Sequence, residues 1–245
     1  MCQHSEEKSP ARRDFLKLTL AASAAAGLAP AAASAQSKAS DAAKPTKESV
    51  SQIIEGWPKT ATFSAKTTIE KYGPPAEATP TRLIWFNNGP WKRTIVNKEE
   101  VEHAFPMPHK DVMEQYVDYK VPLDKADELA RYDGSVYFDR TKGEMSARCD
   151  MEAANFVALN LAHDVATGKR SVEDAREFYP KAVMAHMQKQ SSPYAEKLQF
   201  AAQRNTADPD KTTVSKDMVE KAEQMKQAMM KDKEKPGAAA GGSRK

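Results

Sequence analysis

Apolar and polar positions change period several times along this chain, and each change marks an element. Between Met151 and His163 the only formally charged residue is Glu152, which predicts a helix lying inside the domain, opened by Asp150. At about 100° per residue, Met151, Ala154, Val157, Ala158, Leu161 and Val165 share one apolar arc, while Glu152, Asn155, Asn160 and His163 fall on the other with Phe156 and Leu159. Just before this helix, residues 135–139 and 144–149 read as two short strands joined by a Gly-containing turn at 140–143. A second hairpin is predicted for 82–86 and 91–96 around Asn87-Asn88-Gly89-Pro90, with Trp85 and Trp91 packed on the core.

Weaker patterns fill the rest. A short helix is expected at 64–72, stopped by Gly73-Pro74-Pro75, and another at 123–132, closed by Asp133-Gly134. Residues 110–115 suit a helical turn and 116–121 a fifth strand. Gly168 stops the central helix, and Ser171 starts one that runs through Phe178 and Tyr179 toward Met187, bent or divided at Pro180. A last helix covers 194–203. The fold class is therefore α+β: an antiparallel sheet of two hairpins covered by C-terminal helices. Residues 51–204 form a single domain, 36–50 a linker without hydrophobic periodicity, and 205–245 a charged, Met-containing tail, helical or disordered.

Charge and cysteine content narrow the classes further. With 37 basic and 34 acidic residues the net charge is +3, which gives no footprint for nucleic acid or for an anionic membrane. The two cysteines are Cys2 and Cys149. Lys92 and Arg93 fit a solvated strand edge that discourages edge pairing.

Ahead of the domain, Ala11-Arg12-Arg13-Asp14-Phe15-Leu16-Lys17 precedes an Ala-rich apolar stretch at 18–29 and Ala33-Ser34-Ala35. This arrangement resembles the twin-arginine (Tat) signal peptide. Both arginines, the aromatic, the leucine and the lysine stand in that family's positions, and Ala11 replaces its usual Ser or Thr. The resemblance covers residues 1–35 and implies a bacterial protein exported in the folded state by the Tat machinery, through Arg12 and Arg13, to the periplasm. Cleavage before Gln36 would leave Cys149 as the only cysteine, hence no internal disulfide, and no stable membrane span.

Three sets of residues carry candidate chemistry. His103, Met107 and His109 lie in a segment held extended by Pro106 and Pro108, which puts Met107 and His109 on one side; imidazole and thioether suit copper. Cys149 ends a strand just before a helix N-terminus, where a thiolate is favoured, but His163 near the far end of that helix lies about 20 Å away. Glu152, Asn155, Asn160 and His163 are polar groups on a buried helix that need partners or line a pocket for a small polar ligand. The expectation is a periplasmic binding or accessory protein without catalytic activity, working with an envelope partner. The alternatives are a copper-binding protein through His103, Met107 and His109, and a thiol-dependent enzyme through Cys149.

Overall fold

The computed structural model describes residues 44–234; the signal segment expected at 1–35 and most of the linker lie outside them. Among the described residues there are seven α-helices and six strands. Thr46 and Ser49 close a capping box that starts α1 (Lys47–Ile54) inside the segment assigned to the linker, and Val50 and Ile54 bury its inner face. The helix expected at 64–72 is longer: α2 (Lys59–Tyr72). It ends at Gly73, whose φ of +79° suits glycine and whose N–H reaches the Ile69 carbonyl.

The strands β1 (Glu77–Thr79), β2 (Arg82–Asn88), β3 (Trp91–His103), β4 (His109–Asp118), β5 (Val136–Asp139) and β6 (Glu144–Cys149) form one antiparallel sheet in the order β1-β2-β3-β4-β6-β5. Residues 110–115 are thus strand, not helical turn. The strand was hidden because Asp111 and Gln115 sit on its buried side, so polar residues interrupt the alternation. Lys92 and Arg93 lie on an interior strand rather than an edge; both pair with the buried Glu144, at 3.0 and 2.8 Å.

Between β4 and β5 comes α3 (Ala126–Tyr132), and after β6 come α4 (Glu152–Ala166), α5 (Val172–Met187), α6 (Pro193–Glu196) and α7 (Lys216–Glu234). Ser171 caps α5, which continues through Pro180 undivided. Where a helix was expected at 194–203, α6 makes a single turn. Asn160 explains why: its amide donates to the Tyr194 and Lys197 carbonyls at 2.9 and 2.8 Å, and its Oδ1 accepts from the Gln199 N–H at 2.7 Å. These bonds occupy backbone groups that a longer helix would need. Residues 205–210, assigned to the tail, pack on the domain together with Gln203 just before them. Gln203 N–H donates to the Asp118 carbonyl, Thr206 is buried, and Arg140 pairs with Asp208 and Asp210. This strap crosses the β5–β6 turn so closely that a Cβ on Gly143, itself at φ +67°, would stand 2.2 Å from the Thr206 carbonyl carbon.

The Glu152 carboxylate, at the N-terminus of α4, joins helix to sheet. Its Oε1 accepts from the Tyr72 hydroxyl and the Trp91 indole at 2.6 Å each and from Gln115 at 3.3 Å, and Lys71 reaches its Oε2. Burial works to raise its pKa, but Lys71, Tyr72 and Trp91 together hold it below the ordinary glutamate value. The Phe156 ring, one turn on, stacks on Trp91 at 4.6 Å. From this point α4 runs over β4, where Asn155 donates to the Gln115 side chain and the Met113 carbonyl.

Two outcomes follow for stability. Glu152→Ala leaves the buried Trp91 indole N–H without an acceptor, takes one of two acceptors from Gln115, and lowers the free energy of unfolding by about 2 kcal/mol, measured by urea denaturation. Because the Glu152 pKa is lower in the folded state, its stabilisation is complete above the unfolded glutamate value and fades as pH falls through the folded one; Glu152→Gln removes that acid dependence. Independently, Gly143→Ala collides with the strap backbone and destabilises by about 1–3 kcal/mol in the same assay.

Candidate metal centre

The β3–β4 hairpin ends with His103 and His109 facing each other in register, their ring centroids 5.0 Å apart. The intervening loop, with its cis Phe105–Pro106 peptide, is anchored by Phe105. That ring packs edge-on against Tyr179 of α5 and Tyr132 of α3, with the Arg176 guanidinium 3.9 Å away. Aromatic and cation–π contacts of this kind fix the loop rather than leave it free.

Two residues past His109, on the same side of β4, stands Asp111 with its side chain 1% exposed. His109 Nδ1 lies 2.8 Å from the Met107 carbonyl, which can only accept, so this nitrogen carries the proton. The other nitrogen, Nε2, is 3.1 Å from Asp111 Oδ1, yet no aligned hydrogen bond joins them. Both atoms are buried and without a hydrogen-bond partner. In neutral imidazole they are two acceptors pressed together, an arrangement that calls for a positive charge between or beside them.

His103 completes the group. Its Nδ1 is 3.6 Å from Asp111 Oδ2 and 3.2 Å from the Ser135 hydroxyl, which also donates to Asp111; its Nε2 is 3.6 Å from Asp133. One donor atom from each of His103, His109 and Asp111 lies within 4.8 Å of the others. Tetrahedral bonds of about 2.0–2.1 Å set neighbouring donors about 3.3 Å apart, close to the 3.1 Å between His109 and Asp111 Oδ1, whereas His103 stands 3.6 Å from the other Asp111 oxygen. The second shell is also suited: a backbone carbonyl orients His109 and carboxylate Asp133 faces the far side of His103.

Electrostatics agree with a site built for positive charge. Burial alone would depress the His109 pKa, but Asp111 and Cys149 outweigh it and lift it to about 11. Burial pushes the Asp133 carboxyl up, against the backbone N–H of Ser135 and the charge of His103.

Cys149 sits at the end of β6, beside β4, in contact with His109. The fold therefore brings together the thiol and an imidazole that lie forty residues apart in sequence. Burial nevertheless raises the thiol pKa, against the pull of His109, so the residue is a thiol rather than a poised nucleophile. Cys149, His109, Met107, Pro106, Met151 and Met187 line a cavity of about 170 Å³, closed by Tyr179, Val183 and Ala154.

The four polar residues of α4 do not meet in one pocket. Glu152 and Asn155 share Gln115 near the helix start, whereas Asn160 holds residues 194–199. His163 takes the Tyr119 hydroxyl at 2.9 Å and stacks on Phe200. Each supports the fold. Asp111, which sequence reasoning missed, is the residue that makes the histidine pair into a site; the His-x-Asp spacing signals it once the segment is read as a strand. Met107 contributes a carbonyl to the orientation of His109.

Comparison with known protein families, with curated proteins and with solved structures gave no match. Among the described residues no helix is long and apolar enough to cross a membrane.

With 5% of its surface exposed, Cys149 should react slowly with iodoacetamide in the native protein at neutral pH and at the rate of a free thiol in denaturant. Fast native labelling would mean that the β6 end opens.

Proposed function

We propose that this chain is a bacterial protein exported to the periplasm by the twin-arginine pathway, where it acts as a non-enzymatic binding protein for a transition metal ion. One observation carries the metal reading: His109 Nε2 and Asp111 Oδ1, both buried and without an aligned hydrogen bond, face each other at 3.1 Å with His103 alongside. Two imidazoles and a carboxylate suit zinc or divalent copper, and the thioether of Met107 beside His103 and His109 suits copper. The export reading rests on Arg12 and Arg13 and their flanking pattern.

In this reading the C-terminal helices cover the two hairpins and hold the site closed. The tail beyond the strap, with α7, is left to an envelope partner. A protonated, buried Cys149 argues against the thiol-enzyme alternative.

Calorimetric titration of metal-free protein tests the proposal. One equivalent of zinc or divalent copper should bind, and removing any ligand should cost more than the roughly 10–100-fold typical of a supporting group. The informative variants are His103→Ala and Asp111→Asn. The latter keeps the shape and loses the charge. Wild-type protein that takes up neither metal contradicts the reading.

A further inference from the structure

The donor set on the hairpin is hard and nitrogenous, but the cavity next to it is not. Its lining brings together Met107, Cys149, Met151 and Met187 with the His109 imidazole, beside one carboxylate, Asp150, to which the Cys149 thiol donates at 3.5 Å. At about 170 Å³ it is smaller than the roughly 300–1,000 Å³ that organic ligands occupy. Buried sulfur often serves only to fill space. Here, however, Met107 and Met187 are 40% and 56% exposed, so neither is packed into a core. They stand on the wall of a cavity that ends at a buried thiol and at the His109 imidazole.

We propose that this cavity binds copper in its monovalent, cuprous state, through the Cys149 sulfur and the His109 imidazole, with the thioethers of Met107 and Met187 at its mouth. The proposal rests on the metal-binding reading and narrows its cargo. The thioethers favour the cuprous ion over zinc and over divalent copper, both of which suit the imidazole and carboxylate donors of the hairpin; the thiolate alone would take zinc as well. His109 Nε2 belongs to both donor sets, since Nδ1 is held by the Met107 carbonyl, so the two oxidation states of copper compete for one ring nitrogen. Binding forms a copper–sulfur bond as the Cys149 S–H bond breaks, and the proton leaves to solvent; the metal enters and stays monovalent.

The test is an anaerobic titration of the full chain with cuprous ion, in competition with a chromophoric cuprous chelator, followed by X-ray absorption at the copper edge. Sulfur scatterers in the copper shell are expected. Cys149→Ser should weaken cuprous binding by more than about a hundredfold, and the doubly substituted Met107→Leu, Met187→Leu protein by about tenfold. The methionine pair is exposed, so its loss does not threaten the fold and keeps the test decisive if Cys149→Ser is poorly soluble. Cuprous affinities equal to wild type in both proteins would overturn the proposal, as would a copper shell without sulfur. Zinc bound through His103, His109 and Asp111 with cuprous ion refused also overturns it, while leaving the metal-binding reading intact. Refusal of zinc, divalent copper and cuprous ion alike overturns both.

Discussion

A single half-buried carboxylate sets where the helices sit on this sheet. Glu152 takes bonds from two residues of α2, one of β3 and one of β4, and these partners lie between 37 and 81 residues from it in sequence. A charge so placed is tolerable only if every partner is in position, so the interaction selects one arrangement of α2, α4 and the sheet over its neighbours. That arrangement has a consequence three residues upstream. With the first turn of α4 fixed, Cys149 and Met151 are fixed beside the end of β4, where His109 and Asp111 stand.

The contrast between Glu152 and the buried Asp111 defines what each carboxylate does. Glu152 is fully engaged by donors and holds its charge as structure. Asp111 has donors on one oxygen only; the other faces an imidazole nitrogen with no aligned hydrogen between them. Natural cores rarely leave such atoms unmatched without a reason. A proton on His109 supplies the positive charge in metal-free protein, and in the proposed function a metal ion would take its place. The anchoring of Phe105 against Tyr132, Tyr179 and Arg176 keeps the two histidines in register whichever cation is present.

The strongest local signals in the sequence were the ones that survive in the structure. Both hairpins and α4 are short-range patterns, a turn between β-favouring runs or a long stretch without charge, and no distant residue is needed to specify them. The misreadings have tertiary causes. β4 carries Asp111 and Gln115 on its buried side because their partners are Ser135 and Asn155, remote in sequence, and without those partners the strand looks helical. Residues 197–203 leave the helical path because Asn160 takes their backbone, and the polar strap at 205–210 looks like tail because Arg140 and Gly143, which receive it, lie more than sixty residues earlier. The site followed the same rule. Its two histidines were legible from the Pro-bounded segment, whereas Asp111 became visible only with the strand, and the approach of Cys149 to His109 only with the sheet order.

The most direct test of the account is crystallographic. Crystals of the metal-free protein soaked in zinc or divalent copper, with anomalous data collected at the absorption edge of the metal, should show one strong peak about 2.0–2.2 Å from donor atoms of His103, His109 and Asp111. A map with no peak in that cluster at saturating metal, and His109 still closed on Asp111 through a proton alone, would contradict it.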